Sequence, residues 1–131
     1  LAGDFSAFSG IPNRISHVKL IGNDLERQSI FEVDDPVAIE IHDGLALISS
    51  GFGDALWQYN LETEVLEEIP LSPSIELPSG IIRINQNFYV VETTAIRHLS
   101  IENGSFIDQG YLLDTEGVEG IIGAFGIFGE Y

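Results

Sequence analysis

Short runs of Val, Ile, Leu, Phe and Tyr alternate along the chain with clusters of Gly, Asn, Asp and Pro. This pattern predicts β-strands, because no stretch of helical length repeats apolar residues with helical spacing. Asp43-Gly44 and Asn103-Gly104 suit type I′ hairpin turns, in which both central residues need a positive φ. We therefore predict an all-β chain. The clearest predicted strands are Val37–Ile41, Leu45–Ser49, Ala55–Tyr59, Val65–Ile69, Gly80–Ile84, Phe88–Glu92 and Ala95–Leu99.

The strand pattern repeats. Asp35-Pro36-Val37-Ala38-Ile39 returns 42 residues later as Leu77-Pro78-Ser79-Gly80-Ile81, and a further 40 residues later as Gly117-Val118-Glu119-Gly120-Ile121. Four short strands every ~40 residues are typical of a β-propeller blade. The small residue at the fourth position of each segment would then lie on an inner strand, where we expect crowding toward the propeller axis. An antiparallel β-sandwich or barrel with evenly spaced strands is the alternative.

The repeat divides residues 1–131 into parts of a single all-β unit. Residues 35–76 and 77–116 form two blades, and residues 117–131 begin a third. Residues 11–34 contain two strand-like runs, which we interpret as the outer strands of a preceding blade. About three blades make an incomplete ring, since propellers typically close with ~4–8, and open sheets leave bare edges that seek partners. We expect a homo-oligomer, or a second chain that completes the ring.

Composition narrows the function classes. The chain has 21 acidic and 5 basic residues, a formal net charge of −16, and neither Cys nor Met. A disulfide scaffold or thiolate metal site is excluded, and scattered single cations argue against binding nucleic acid. No apolar run approaches the ~18 residues of a membrane span. The sequon Asn103-Gly104-Ser105 slightly favours a secreted protein.

One stretch resembles a known family. Asp43-Gly44-Leu45-Ala46-Leu47-Ile48-Ser49-Ser50-Gly51 looks like the first blade of the paraoxonase/arylesterase group, which is related in architecture to the gluconolactonase-type calcium propellers. The resemblance implies a Ca²⁺-dependent hydrolase of lactones or esters. In such a mechanism the ion polarises the ester carbonyl and stabilises the oxyanion, while water activated by a carboxylate or His attacks.

The resemblance also implies where calcium would bind. In that family the ligands stand at the starts of inner strands, which correspond here to Val37, Ser79 and Glu119. Glu119 offers a carboxylate and Ser79 a hydroxyl, both suited to a cation that prefers oxygen, whereas Val37 has no side-chain oxygen. The acidic pair Asp34 and Asp35 would serve if the first inner strand began earlier.

A second hypothesis is a non-catalytic propeller that binds a protein or a glycan. Trp57 and Tyr59 share one face of a predicted strand, where they either stack on a sugar or another flat ligand or pack between blades. The tail has Gly at every third position from Gly117 to Gly129. It is either a Gly-rich inner hairpin or an apolar strand that completes the sheet of a partner.

Overall fold

The computed structural model describes residues 13–114, which form β-strands and no helix. The all-β class is therefore confirmed for this part of the chain. The start of the third blade, with Glu119 and Gly120, lies outside the described residues. The strands are β1 (Arg14–Ile21), β2 (Asp24–Glu32), β3 (Pro36–His42), β4 (Leu45–Ser50), β5 (Ala55–Asn60), β6 (Leu66–Glu68), β7 (Gly80–Ile84), β8 (Asn87–Val91), β9 (Ala95–Glu102) and β10 (Ser105–Asp114).

The strands form two four-stranded antiparallel sheets and one hairpin. Sheet I has the order β3-β4-β5-β6, sheet II has the order β7-β8-β9-β10, and β1 pairs with β2. Each sheet is a meander in which consecutive strands are hydrogen-bonded neighbours, as the four-strand repeat predicts. The seven clearest predicted strands are all present among residues 13–114. The largest differences are a shorter β6 and a β9 that continues three residues beyond the predicted end, to Glu102.

Two hairpin turns have the predicted backbone conformation. The φ angles are 48° at Asp43 and 76° at Gly44, and 50° at Asn103 and 78° at Gly104. Positive φ at both central residues matches the right-handed twist of the flanking strands, and Asn, Asp and Gly adopt it at least cost. These turns fix the β3–β4 and β9–β10 registers, so that Asn103 is exposed at the tip of its hairpin.

Sheet I is covered on both faces, and its strand β4 is buried along its whole length. One face packs against sheet II and the other against the β1–β2 hairpin. These two interfaces hold most of the buried apolar residues, and burial of apolar area is the main favourable contribution to folding. The first interface includes Leu45, Leu47, Leu56, Phe88, Val90 and Leu99. The second includes Ile15, Phe31, Ala46, Ile48 and Tyr59.

Equivalent residues of the two sheets face the same direction. Phe88 and Val90 of sheet II point toward sheet I, and their equivalents 42 residues earlier, Ala46 and Ile48, point away from sheet II toward the hairpin. The first strands β3 and β7 lie beside each other. The two sheets therefore stack in the same orientation, and their first strands are neighbours.

The crowding expected at the small inner-strand residues is not seen at Gly80. A Cβ atom built on Gly80 would have no heavy atom within 4 Å, and the residue is half-buried. The prediction of tight packing at this position is wrong for residues 13–114. The physical reason is that, among the described residues, β7 has β3 beside it, whereas the expected crowding requires strands that converge from several sides.

Candidate functional site

An apolar cleft lies between the β1–β2 hairpin and sheet I. Its volume is about 220 Å³. The hairpin is anchored on β5, and the cleft opens toward β3, where Ile41 is 56% exposed. The walls are aliphatic, so the cleft suits apolar side chains rather than an ion. Its aliphatic lining includes Ile15, Val18, Ile39, Ile41, Ala46 and Ile48.

Tyr59 supplies the polar groups at one end of the cleft, together with two hairpin residues. Its hydroxyl lies 2.6 Å from Ser29 Oγ and 3.3 Å from His17 Nδ1. The Tyr59 ring is stacked on Phe31, with centroids 4.3 Å apart, and the His17 ring meets it edge-on at 5.8 Å. Tyr59 is 2% exposed. This residue therefore joins the hairpin to sheet I through both ring packing and hydrogen bonds.

Trp57 and Tyr59 share one face of β5, as the strand period predicts. Trp57 is half-buried and packs against the cluster that contains Tyr59. The Trp57 indole Nε1 is buried without a hydrogen-bond partner among residues 13–114. The two aromatic side chains thus contribute to packing between the hairpin and sheet I, and their role in stacking on a ligand stays a prediction.

Asp34 and Asp35 lie at the connection that enters β3, where they hold the loop after β4. The Asp35 carboxylate accepts a hydrogen bond of 3.0 Å from the Phe52 N–H, and its carbonyl accepts one of 2.9 Å from Gly51. The Asp34 carbonyl accepts a hydrogen bond from the Ser50 hydroxyl. Asp35 has a φ of 40°, a turn conformation that Asp tolerates.

The predicted calcium ligands are not gathered into a cluster by the described residues. The Ser79 hydroxyl donates to the Val91 carbonyl at 3.4 Å, and its N–H donates to the same oxygen at 2.9 Å. Glu119, the predicted carboxylate ligand, lies outside residues 13–114. Within those residues, no group of three or more His, Asp or Glu side chains is arranged to hold a metal ion. Calcium binding stays a prediction.

A buried ion-pair network surrounds Arg97 on β9. The guanidinium is fully buried and lies 2.8 Å from a Glu92 carboxylate oxygen and 2.7 Å from an Asp108 oxygen. It also donates to the Pro73 carbonyl at 2.9 Å and lies over the Tyr111 ring, 4.8 Å from its centroid. One side chain thereby ties β9 and β10 to the connection between the two sheets.

The electrostatics of this network keep Arg97 charged. Burial alone lowers the pKa of Arg97, but the hydrogen bond and charge of Glu92, followed by the charges of Asp108 and Tyr111, raise it above its ordinary value. In the sequence, Arg97 is one of five scattered single cations. Its position inside the apolar strand Ala95–Leu99 could have indicated a buried ion pair, because an unpaired charge in such a strand would be costly.

Comparison with protein-family models and with curated proteins gave no match. The resemblance to the paraoxonase/arylesterase group therefore rests on the stretch Asp43–Gly51 alone. Among residues 13–114 there is no helix with the length and apolar character needed to cross a membrane.

Proposed function

We propose that this chain is a non-catalytic β-propeller module that binds a protein partner. The proposal depends on one observation: the two four-stranded sheets stack in the same orientation, so that their equivalent residues face the same direction. Successive blades of a propeller repeat by rotation about an axis, so equivalent residues face the same way and first strands are neighbours. Ala46 and Ile48 in sheet I and Phe88 and Val90 in sheet II have this relation.

The stretch that resembles the hydrolase family is best explained by packing. Its residues Leu45–Ser50 are strand β4, and all six are buried. Ser49 Oγ accepts the Ala38 N–H at 3.1 Å, and Ser50 Oγ donates to the Asp34 carbonyl. These hydroxyls are therefore used to hold β4 against the start of β3. The likeness supports a shared blade architecture more than a shared reaction.

A protein partner is favoured over a glycan by the exposed surfaces. Glycan binding commonly uses an aromatic face open to solvent, but Tyr59 is stacked on Phe31 and Trp57 packs beside it. The hairpin instead exposes large aliphatic side chains, with Leu20 65% and Leu25 75% exposed. An exposed group of aliphatic residues is typical of a protein interaction surface.

Thermal melting with calcium distinguishes the two functions. The melting temperature is measured in Ca²⁺, in Mg²⁺ at the same ionic strength, and with a chelator, because a chain of net charge −16 attracts any divalent cation. We expect Ca²⁺ and Mg²⁺ to give the same melting temperature. A specific site at 100 times its Kd would add about 2.7 kcal/mol of stability. Lactone and aryl-ester substrates are assayed in parallel, and we expect no turnover.

A stabilisation by Ca²⁺ that Mg²⁺ does not reproduce, together with hydrolysis of either substrate, would contradict this proposal and favour the calcium hydrolase. The Glu119→Gln variant then serves as the matched test, since that residue carries the predicted carboxylate ligand.

A further inference from the structure

The turn between β9 and β10 carries a sequence pattern that the proposed function does not use. Asn103-Gly104-Ser105 matches the acceptor pattern for N-glycosylation, in which Asn is followed by any residue except Pro and then by Ser or Thr. Of the six asparagines in the sequence, Asn103 is the one with this pattern. Asn103 and Gly104 form the tip of the hairpin, and both are exposed. A bulky group attached at this tip would therefore extend into solvent rather than into the core.

The side chain of Asn103 is not needed to hold its own turn. The turn is formed by the backbone, with φ angles of 50° at Asn103 and 78° at Gly104. None of the side-chain hydrogen bonds within residues 13–114 involves the Asn103 carboxamide. Asn60 differs, because its carboxamide oxygen holds the β5–β6 turn by accepting the N–H groups of Glu62 and Thr63, each at 2.9 Å. The Asn103 amide nitrogen can therefore be substituted without the loss of a hydrogen bond in the described part of the chain.

The third residue of the pattern is also free of a structural role for its hydroxyl. Ser105 is the first residue of β10, is half-buried and pairs with Glu102 across the hairpin. Its hydroxyl takes part in none of the side-chain hydrogen bonds within the described residues. The next residue, Phe106, is 2% exposed, and its N–H donates to Gln58 Oε1 of sheet I at 2.9 Å. The hairpin is thus anchored directly behind the acceptor pattern, while the two groups that the pattern requires are unused at its tip.

We propose that Asn103 accepts an N-linked oligosaccharide while this chain passes through a secretory compartment. The donor is a lipid pyrophosphate that carries the oligosaccharide. The Asn103 Nδ2 nitrogen forms a bond to C1 of the first sugar, and the bond from that carbon to the pyrophosphate oxygen breaks. The nitrogen loses one proton, the lipid pyrophosphate is the leaving group, and neither an oxidant nor a reductant takes part.

The glycan leaves the proposed protein-binding surface accessible. Asn103 belongs to sheet II, whereas the exposed Leu20 and Leu25 belong to the β1–β2 hairpin. Sheet I packs between sheet II and this hairpin, so the glycan and the aliphatic surface lie on opposite sides of sheet I. Because a glycan is bulky and solubilising, it keeps the β9–β10 tip out of a protein interface. The assignment of the glycan does not depend on the proposed function, since it rests on residues of the β9–β10 hairpin.

Expression of the full chain behind a cleavable secretory leader in eukaryotic cells tests this site. Protein from the medium and from the microsomal fraction is analysed by intact mass spectrometry before and after treatment with peptide-N-glycosidase, which releases N-linked glycans and converts the linked Asn to Asp. Only chains that have lost the leader are counted, because its removal shows that they entered the compartment. We expect a glycan mass that the enzyme removes, and peptide mapping should locate the conversion at position 103.

Variants of Ser105 separate the acceptor pattern from the fold. Ser105→Ala should abolish the glycan, whereas Ser105→Thr should retain it, because Thr supplies the hydroxyl that the pattern requires. Asn23→Gln is the matched control, since Asn23 is exposed in the β1–β2 turn but lacks the pattern, and it should leave the glycan in place. Leader-free wild-type chains whose mass the enzyme does not change, or a glycan that persists in Ser105→Ala, would overturn the proposal.

Discussion

At the scale of single residues, Arg97 is the side chain whose loss should cost most. Arg97→Met keeps much of the apolar stem but leaves Glu92, which is 3% exposed, as a buried carboxylate without its partner. Breaking a buried pair by removing one member costs about 3–5 kcal/mol. We expect the free energy of unfolding, measured with urea, to fall by that amount.

The control is Arg83→Met, which removes an exposed pair. Arg83 Nε lies 3.0 Å from Glu40 Oε1, and both side chains are about one-third exposed, so the loss should stay below about 1 kcal/mol. Equal losses for Arg83→Met and Arg97→Met would show that the Arg97 network is not a special source of stability. The raised pKa of Arg97 contributes stability that is lost only as the pH rises through that value.

Replacement by alanine should change the stability in opposite directions at Gly51 and at Gly80. A Cβ on Gly51 would lie 2.7 Å from Val37 Cγ2 and 2.8 Å from Asp35 Oδ2, the oxygen that accepts the Phe52 N–H. Gly51→Ala should therefore destabilise by about 1–3 kcal/mol, as overpacking does. Gly80 has open space and no positive φ, so Gly80→Ala should stabilise by about 0.4–1 kcal/mol by restricting the unfolded chain. A loss at Gly80 as large as that at Gly51 would indicate that Gly80 is crowded in solution.

At the scale of elements, Tyr59 determines how firmly the β1–β2 hairpin is attached. Tyr59→Phe keeps the ring stacking on Phe31 but removes the hydroxyl that meets Ser29 and His17, which should cost about 1 kcal/mol. Tyr59→Ala also leaves a cavity and should cost about 3–5 kcal/mol. Amide hydrogen exchange measures which strands lose protection in the Tyr59→Ala variant. The amides of β1 and β2 should exchange faster in Tyr59→Ala, while those of sheet II keep their protection, and uniform acceleration in both would contradict a local role.

The strands and hairpins could be predicted because their determinants are local. Alternating residues and turn dipeptides such as Asp43-Gly44 act over a few positions, and the structure agrees with them. The partners of Arg97 could not be found in this way, since Pro73 and Asp108 approach it only after the sheets have formed. For the same reason, the pattern of residues did not reveal that Asp35 holds the loop at Phe52.

At the scale of the whole molecule, the repeat predicts more than the number of strands. Equivalent positions such as Ala46 and Phe88 face the same way because each sheet repeats the same alternation with the same register. When all the sheets of a stack have the same orientation, the outer face of the first sheet and the outer face of the last sheet have no neighbouring sheet to cover them. The cleft beside the hairpin is one such incomplete end, which explains why aliphatic side chains such as Ile41 remain exposed there.

Net charge sets the conditions under which this chain is most stable. With a formal net charge of −16, the folded chain repels itself. The screening length falls from about 30 Å at 0.01 M salt to about 10 Å at 0.1 M. We expect added NaCl over this range to raise the melting temperature by a few degrees, roughly the effect of 1 kcal/mol. Glu62→Lys with Glu68→Lys reverses two exposed charges, one before β6 and one at its last residue, and changes the net charge to −12. Because repulsion depends on total charge, this double variant should show a smaller salt dependence, and an equal or larger one would mean that local ion pairs rather than net charge govern the response.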